Sequence, residues 1–293
     1  MVLFPVLAGC LLAAANASTP PKTGSAKSWS VRWQPARLVN GSPIVFRVAP
    51  PTHLESLSGK WFDHDVFFSY DTASKSWYAI AAVSLETAPG SYSLALNGTS
   101  KTGNAVTFSQ KIRVRAAKYP SIAVTVAPKF TEPSPEQLEQ IKQDQKLKQE
   151  IFQHVAPERE WKGDFEAPVK APISDVFGTR RTFNGKVEST HQGLDFAVPQ
   201  GTPVSALNSG TVLLARPLYF EGNCVVLDHG QGLLSLYLHL SEFKVKAGEQ
   251  VSAGQELGLS GSTGRATGPH LHVAVRWQGI YLNPATLLQL KLP

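Results

Sequence analysis

His191 and Asp195, in the run His191-Gln-Gly-Leu-Asp195, place an imidazole and a carboxylate four residues apart. Much further on, Gly-Pro-His270-Leu-His272 supplies two more imidazoles, and His239, in Leu-Tyr-Leu-His239-Leu-Ser, stands between the two groups. Nitrogen and carboxylate oxygen donors of this kind suit a borderline cation such as zinc. Three protein ligands with an open fourth position is the usual form of a catalytic zinc site, so these five residues supply three ligands and leave two histidines over. The spacing alone does not say which. Because the two groups are far apart in the chain, the site exists only if the intervening residues fold them together.

The elements around these residues read as strands. Stretches at 202–206, 210–215, 224–228, 233–239, 256–260 and 270–276 are rich in β-branched and aromatic residues and alternate with turn residues. In a strand, residues two apart share a face, so His270 and His272 project together. By the same parity, an extended segment would present both His191 and Asp195, and Tyr237 would share a face with His239. The glycine-rich run from Gly261 to Gly268 directly precedes His270 and lets backbone approach a ligand closely.

These motifs resemble those of the lysostaphin/LytM-type zinc peptidases. The resemblance rests on His191-Gln-Gly-Leu-Asp195, Tyr237-Leu-His239-Leu-Ser and Gly261-Ser-Thr-Gly-Arg-Ala-Thr-Gly-Pro-His270-Leu-His272. It extends through Phe177-Gly-Thr-Arg-Arg, Gly201-Thr-Pro-Val-Ser-Ala, Asp228-His-Gly and Val245-Lys-Ala-Gly-Glu-Gln-Val, and covers roughly residues 165–290. It implies a zinc cofactor held by His191, Asp195 and His272. It also implies that His239 and His270 are catalytic, one accepting a proton and the other stabilising the oxyanion or protonating the leaving amine. The implied substrate is bacterial peptidoglycan, cut at peptide bonds of its stems or crosslinks. A helix-borne His-Glu-x-x-His motif is absent from the sequence, so the base is expected to be histidine rather than glutamate.

Other residues near these motifs read more plainly. Arg180, Arg181 and Asn184 are candidates for the substrate groove or for a solvated loop. His229, in Asp-His-Gly, reads as structural, His53 and His64 read as surface or loop residues, and His154 has no evident partner. Cys224, in a strand-like apolar run, reads as a small core side chain rather than a nucleophile.

The rest of the chain sets the frame. Its 293 residues suffice for about two domains, with 42% hydrophobic and 17% charged residues, as in ordinary globular protein. The net charge of +6 tolerates anionic partners, but no basic stripe with interleaved aromatics indicates nucleic acid. Residues 1–17 read as a signal peptide ending at Ala15-Asn16-Ala17, although no Lys or Arg precedes the apolar run. Leu7-Ala8-Gly9-Cys10 also fits a lipobox, which would anchor the protein to a membrane through Cys10; simple cleavage is preferred because the residues after Cys10 stay apolar. Export to the periplasm or cell envelope is expected either way. Cleavage leaves Cys224 as the one thiol, hence no intramolecular disulfide.

A tether at 18–28 precedes an expected immunoglobulin-like accessory domain at 29–116. Six candidate strands there, at 30–33, 44–48, 66–70, 77–83, 91–96 and 106–114, belong to a sandwich of about seven. A connector at 117–160 begins extended and then forms a helix from the N-cap Ser134, with Pro135 first in the helix and Gln137 closing a capping box, to about Phe152. Its stripe of Leu138, Ile141, Leu147 and Ile151 is too short for a coiled coil, and a monomer is expected. Residues 161–293 form the metallopeptidase domain. The expected fold is therefore all-β: an immunoglobulin-like sandwich, a helical connector and a LytM-type β-sheet or barrel-sandwich catalytic domain.

Two other functions compete. A catalytically silent relative would bind wall or regulate another hydrolase, but such proteins lose ligand or catalytic residues, and none of the five is lost here. A lipoyl- or biotinyl-type carrier shares half-repeats such as Lys246-Ala-Gly-Glu-Gln-Val, but needs a modifiable lysine at a hairpin tip and no metal cluster.

Overall fold

The computed structural model describes residues 28–293. The expected signal segment with Cys10, and all but the last residue of the tether, lie outside the described residues.

Eight strands come first: β1 (Ser30–Gln34), β2 (Pro43–Ala49), β3 (Leu54–Trp61), β4 (His64–Phe67), β5 (Ser69–Asp71), β6 (Ser76–Ala82), β7 (Gly90–Ser100) and β8 (Ala105–Val114). They make two four-stranded sheets, ordered β1-β2-β6-β5 and β4-β3-β7-β8, whose inner faces meet over Phe46, Trp61, Leu94 and Ile112. Trp61 sets its ring edge-on to Phe46 at 5.5 Å, and its indole N–H donates to the Ala82 carbonyl, so the polar end of a buried ring is satisfied. Strand β3 is not among the expected strands. Its apolar residues, Leu54, Leu57 and Trp61, break the period of two because the register shifts between Leu54 and Ser56. The expected strand at 66–70 is two strands, interrupted at Phe68.

The connector is more ordered than its prolines imply. It holds β9 (Ser121–Val124), a 3-10 turn (Pro128–Phe130) and α1 (Pro135–Phe152). Helix α1 starts and stops where its sequence directs. The Gln137 N–H donates to Ser134 Oγ, and the Ser134 N–H donates to Gln137 Oε1. Leu147, Ile151 and Phe152 turn toward the C-terminal sheet, whereas Leu138 stays exposed.

The remaining strands are β10 (Ile173–Asp175), β11 (Arg180–Phe183), β12 (Val187–Thr190), β13 (Leu194–Phe196), β14 (Pro203–Ser205), β15 (Gly210–Leu218) and β16 (Gly222–Asp228). They continue as β17 (Leu233–Leu240), β18 (Glu242–Phe243), β19 (Gln250–Val251), β20 (Glu256–Leu259), β21 (Leu271–Trp277) and β22 (Ile280–Leu282), and α2 (Pro284–Leu287) follows. An eight-stranded sheet runs β10-β13-β21-β17-β16-β15-β19, with β22 on β21; β14-β20-β18 and β12-β11-β9 are smaller sheets.

Alternation splits the large sheet into two faces. Leu271, Val273, Val275, Val225, Leu227 and Tyr237 point into the main core, which is continuous with the core of the N-terminal sandwich. Cys224, Val226, Leu234, Leu236 and Ala274 point the other way and are partly covered by α1. Cys224 is wholly buried there and burial pushes its thiol well above the usual range, as a core side chain requires. His272 lies on the second face, so the candidate site opens on the same side of the sheet as the helix.

Candidate metal centre

Sheet register builds the centre of the site. Asp175 pairs with Asp195, Asp195 with His272, and His272 with Leu238, so one row crosses β10, β13, β21 and β17. Directly opposed residues have side chains close enough to touch. The Asp195 carboxylate and the His272 ring therefore meet through backbone pairing between segments remote in sequence.

His191 arrives differently from its expected route. Four residues of extended chain span about 13 Å, too far for His191 and Asp195 to reach one point. The chain instead bends at Gln192 and Gly193 between β12 and β13, folding His191 back over Asp195. Glycine is required at this bend. A Cβ on Gly193 would collide with the His272 ring and the Val273 carbonyl.

The three donors converge. His191 Nε2 lies 3.1 Å from Asp195 Oδ1 and 3.0 Å from His272 Nδ1, and His272 Nδ1 lies 2.7 Å from Asp195 Oδ1. Tetrahedral zinc with bonds of about 2.0–2.1 Å holds neighbouring ligands about 3.3 Å apart. The donor atoms already form one face of such a tetrahedron, drawn in by a few tenths of an ångström. This His, Asp, His set thus fits zinc in chemistry and spacing. Among the described residues it is the one group of three or more His, Cys, Asp or Glu side chains that closes this way.

Surrounding groups fix which atoms face inward. His191 Nδ1–H donates to the Val176 carbonyl at 2.8 Å, which leaves the Nε2 lone pair for the cluster. Arg181 Nη2 donates to Asp195 Oδ2 at 2.5 Å, which leaves Oδ1 free. Arg181 also donates through Nε and Nη2 to Asp175 Oδ2, and Asp175 Oδ1 accepts from the Thr179 hydroxyl and the Val176 N–H. Burial alone would raise the Asp195 carboxyl, but the adjoining His191 and His272 rings outweigh it and hold the group far below the usual carboxylate range. Burial pushes His272 below the usual histidine value, and the nearby Asp195 only partly opposes this. Both effects favour the deprotonated forms that bind a cation.

His239 and His270 stand beside the three donors with ring centroids 4.8 Å apart, and the His239 ring is 6.0 Å from that of His272. His239 Nδ1–H donates to the Thr263 carbonyl, and His270 Nδ1–H to the Gly268 carbonyl, so each presents Nε2 as an acceptor. Burial, with the neighbouring His272 and His270, pushes His239 down to about 3. The ring is therefore neutral at pH 7.

The expected shared face of Tyr237 and His239 is not observed. Tyr237 is buried in the main core, and its hydroxyl accepts the Leu207 N–H. Between Asn223/Leu240 and Val225/Tyr237, β17 carries one residue more than β16, and His239 within that stretch adopts φ +63. This bulge turns His239 onto the groove face alongside Leu236 and Leu238. Strand parity applies to unbroken strands, and this one is broken at the functional residue.

Two arginines, Arg265 within the glycine-rich run and the groove candidate Arg181, also line the groove. Arg265 lays its guanidinium over Phe183 and Phe220 at 4.4 and 4.6 Å and lines cavities on both sides of the histidines. Arg181 lines the same two cavities but is committed to the carboxylates. Asn184 is not in the groove wall; its side chain accepts the Val126 N–H and donates to the Val126 carbonyl, pinning the connector. His229 is wholly buried away from the cluster, between Ser209 and Ser235. His64 is a strand residue packed on Trp277 rather than a loop residue.

Fold and site together place three candidate metal donors, His191, Asp195 and His272, beside the imidazoles of His239 and His270 on an antiparallel sheet. Residues 189–284, which contain all five of these residues, match Peptidase family M23, so the chain carries a domain of that family. It is 39% identical over 146 residues to peptidoglycan DD-endopeptidase ShyA of Vibrio cholerae, covering 50% of this chain and 31% of that protein. It is 41% identical over 128 residues to DD-carboxypeptidase/endopeptidase Mpg of Neisseria meningitidis, covering 43% of this chain and 30% of that one. The chain thus spans about a third of the length of these curated relatives. A crystal structure from Pseudomonas aeruginosa described as peptidase M23 superposes with TM-score 0.65 at 28% identity, covering 86% of this chain and 95% of that one. That likeness takes in the N-terminal sandwich as well as the large sheet.

Proposed function

We propose that this chain is an exported zinc endopeptidase that hydrolyses peptide bonds in peptidoglycan stems or crosslinks. The observation that carries the reading is the convergence of His191 Nε2, Asp195 Oδ1 and His272 Nδ1 beside the paired rings of His239 and His270. The relative named peptidoglycan DD-endopeptidase ShyA supports the substrate class.

His191, Asp195 and His272 would hold the metal. When bound, zinc supplies Lewis acidity at neutral pH, acidifying water and polarising a carbonyl. The protein's part is proton transfer and charge stabilisation. His239, neutral and with its Nδ1–H held by Thr263, offers Nε2 to a proton. His270 is held in the same way by Gly268. One of the two takes a proton from the attacking water, while the other stabilises the tetrahedral oxyanion or protonates the leaving amine.

In this reading the chain divides at 29–116, 117–160 and 161–293. The order β1-β2-β6-β5 and β4-β3-β7-β8 supports an immunoglobulin-like first domain, because it matches the sheet order of such sandwiches. The protein acts as a monomer in the periplasm or cell envelope.

The test is digestion of isolated sacculi by the mature protein with zinc, with released fragments identified by mass spectrometry. Peptide-bond products are expected from the wild type and none from His270→Ala. No release from several wall types would overturn the reading.

A further inference from the structure

The mechanism leaves unused a large polar cavity that adjoins the metal centre and is walled by both halves of the molecule. It measures about 650 Å³ and shares Ser189, Thr190, Gln192 and Tyr281 with the cavity around His191, His239 and His272. Its far wall is the loop from Ser84 to Glu86 of the N-terminal sandwich, and its near wall includes Arg180.

This wall is held firmly. The Asn40 side chain donates to the Leu85 carbonyl at 2.8 Å and accepts the Ala117 N–H at 2.7 Å. The Tyr119 hydroxyl donates to the Asn40 carbonyl at 2.6 Å, and its ring presses so closely on Gly178 that a Cβ there would collide with it. The Asn283 N–H donates to the Gly41 carbonyl, tying the same corner to the C-terminal sheet. The sandwich loop is therefore set at a fixed distance from the catalytic groove.

Two opposite charges face this cavity. Glu86 and Arg180 are both exposed, and among the described residues neither takes part in an ion pair; Arg181, by contrast, is spent on Asp175 and Asp195. We infer that this cavity is a substrate subsite for a peptide bearing both a free ammonium and a free carboxylate, with Glu86 taking the ammonium and Arg180 the carboxylate. The N-terminal sandwich is then part of the binding site. The inference rests on the hydrolase reading for the identity of the peptide, since a stem containing a diamino acid carries both groups.

The test separates binding from turnover. A fluorescein-labelled tetrapeptide with one side-chain ammonium and a free C-terminal carboxylate is titrated onto the full mature chain carrying His270→Ala, alongside its side-chain-acetylated and C-amidated forms. Acetylation and Glu86→Gln should each weaken binding roughly tenfold and not add to one another; amidation and Arg180→Gln should behave likewise. In the catalytically intact chain, Glu86→Gln should raise KM for the free-ammonium crosslinked peptide more than for its acetylated form, with the loss in KM rather than kcat. Equal affinity for all three peptides, or additive losses, would overturn the subsite. Charge-selective binding without hydrolysis by any form would keep the subsite and overturn the hydrolase reading.

Discussion

At the scale of single residues, the roles divide by which atoms face inward. His272→Ala removes one of three donors and should lose zinc from about one equivalent to a small fraction after dialysis, read by metal analysis. His270→Ala leaves all three donors in place and should retain zinc while losing at least about a hundredfold in turnover. An undiminished rate in that variant would falsify its catalytic role. Arg181→Ala frees Asp195 Oδ2 and loosens the carboxylate, and should weaken zinc retention about tenfold in competition with a chelator. The donors themselves were legible in the sequence, since His-x-x-x-Asp and His-x-His advertise their chemistry. Asp175 and Arg181 were not, because their partnership with Asp195 exists only once β10 has paired with β13. Nor was the difference between Arg180 and Arg181: adjacent residues of one type are separated by the strand into a structural cation and an exposed one.

At the scale of elements, local chemistry predicted most of the regular pieces, and irregularities made the site. Helix α1 was readable to its ends because capping box, leading proline and apolar stripe all agree. Strand β3 was not, because its bulge broke the alternation by which strands are recognised. The same kind of defect in β17 carries His239 into the groove, so the expected pairing with Tyr237 failed at a residue that matters. The bend at Gly193 is a third case, where a turn replaces the extended segment that parity assumed. It gives a sharp expectation. Gly193→Ala puts a methyl group against the His272 ring and the Val273 carbonyl, so it should displace one ligand and strain the β13–β21 pairing. Zinc affinity and thermal stability should fall together, whereas Gly248→Ala, where a Cβ meets nothing and φ is +86, should cost only backbone strain and leave zinc binding intact. Paired calorimetric and chelator measurements on the two variants check this.

At the scale of the whole molecule, one hydrophobic core runs through both halves, and Arg159, lying over both Tyr78 and Trp161, helps seal their junction. A neutral imidazole buried beside that core responds to acid. His229 is enclosed behind the large sheet, its Nδ1–H donating to the Ser209 carbonyl at 2.7 Å and its Nε2 facing the Ser235 hydroxyl at 2.8 Å, with Tyr237 next in line. Burial pushes the ring down from 6.5 to about 4, the Ser209 carbonyl opposing only weakly. The unfolded chain therefore binds this proton more readily than the folded one. The stability that His229 contributes by staying neutral is intact above pH 6.5 and is lost progressively as the pH falls from there toward about 4. The loss amounts to about 3 kcal/mol. Urea midpoints of the metal-free protein should thus fall between pH 7 and pH 4.5, and less steeply in His229→Gln. Because that substitution also disturbs the Ser209 and Ser235 contacts, the decisive measurement is the His229 ring resonance in the native protein. It should remain that of a neutral imidazole at pH 5.5, and a ring that titrates near 6.5 would show that burial does not control the acid limit of this fold.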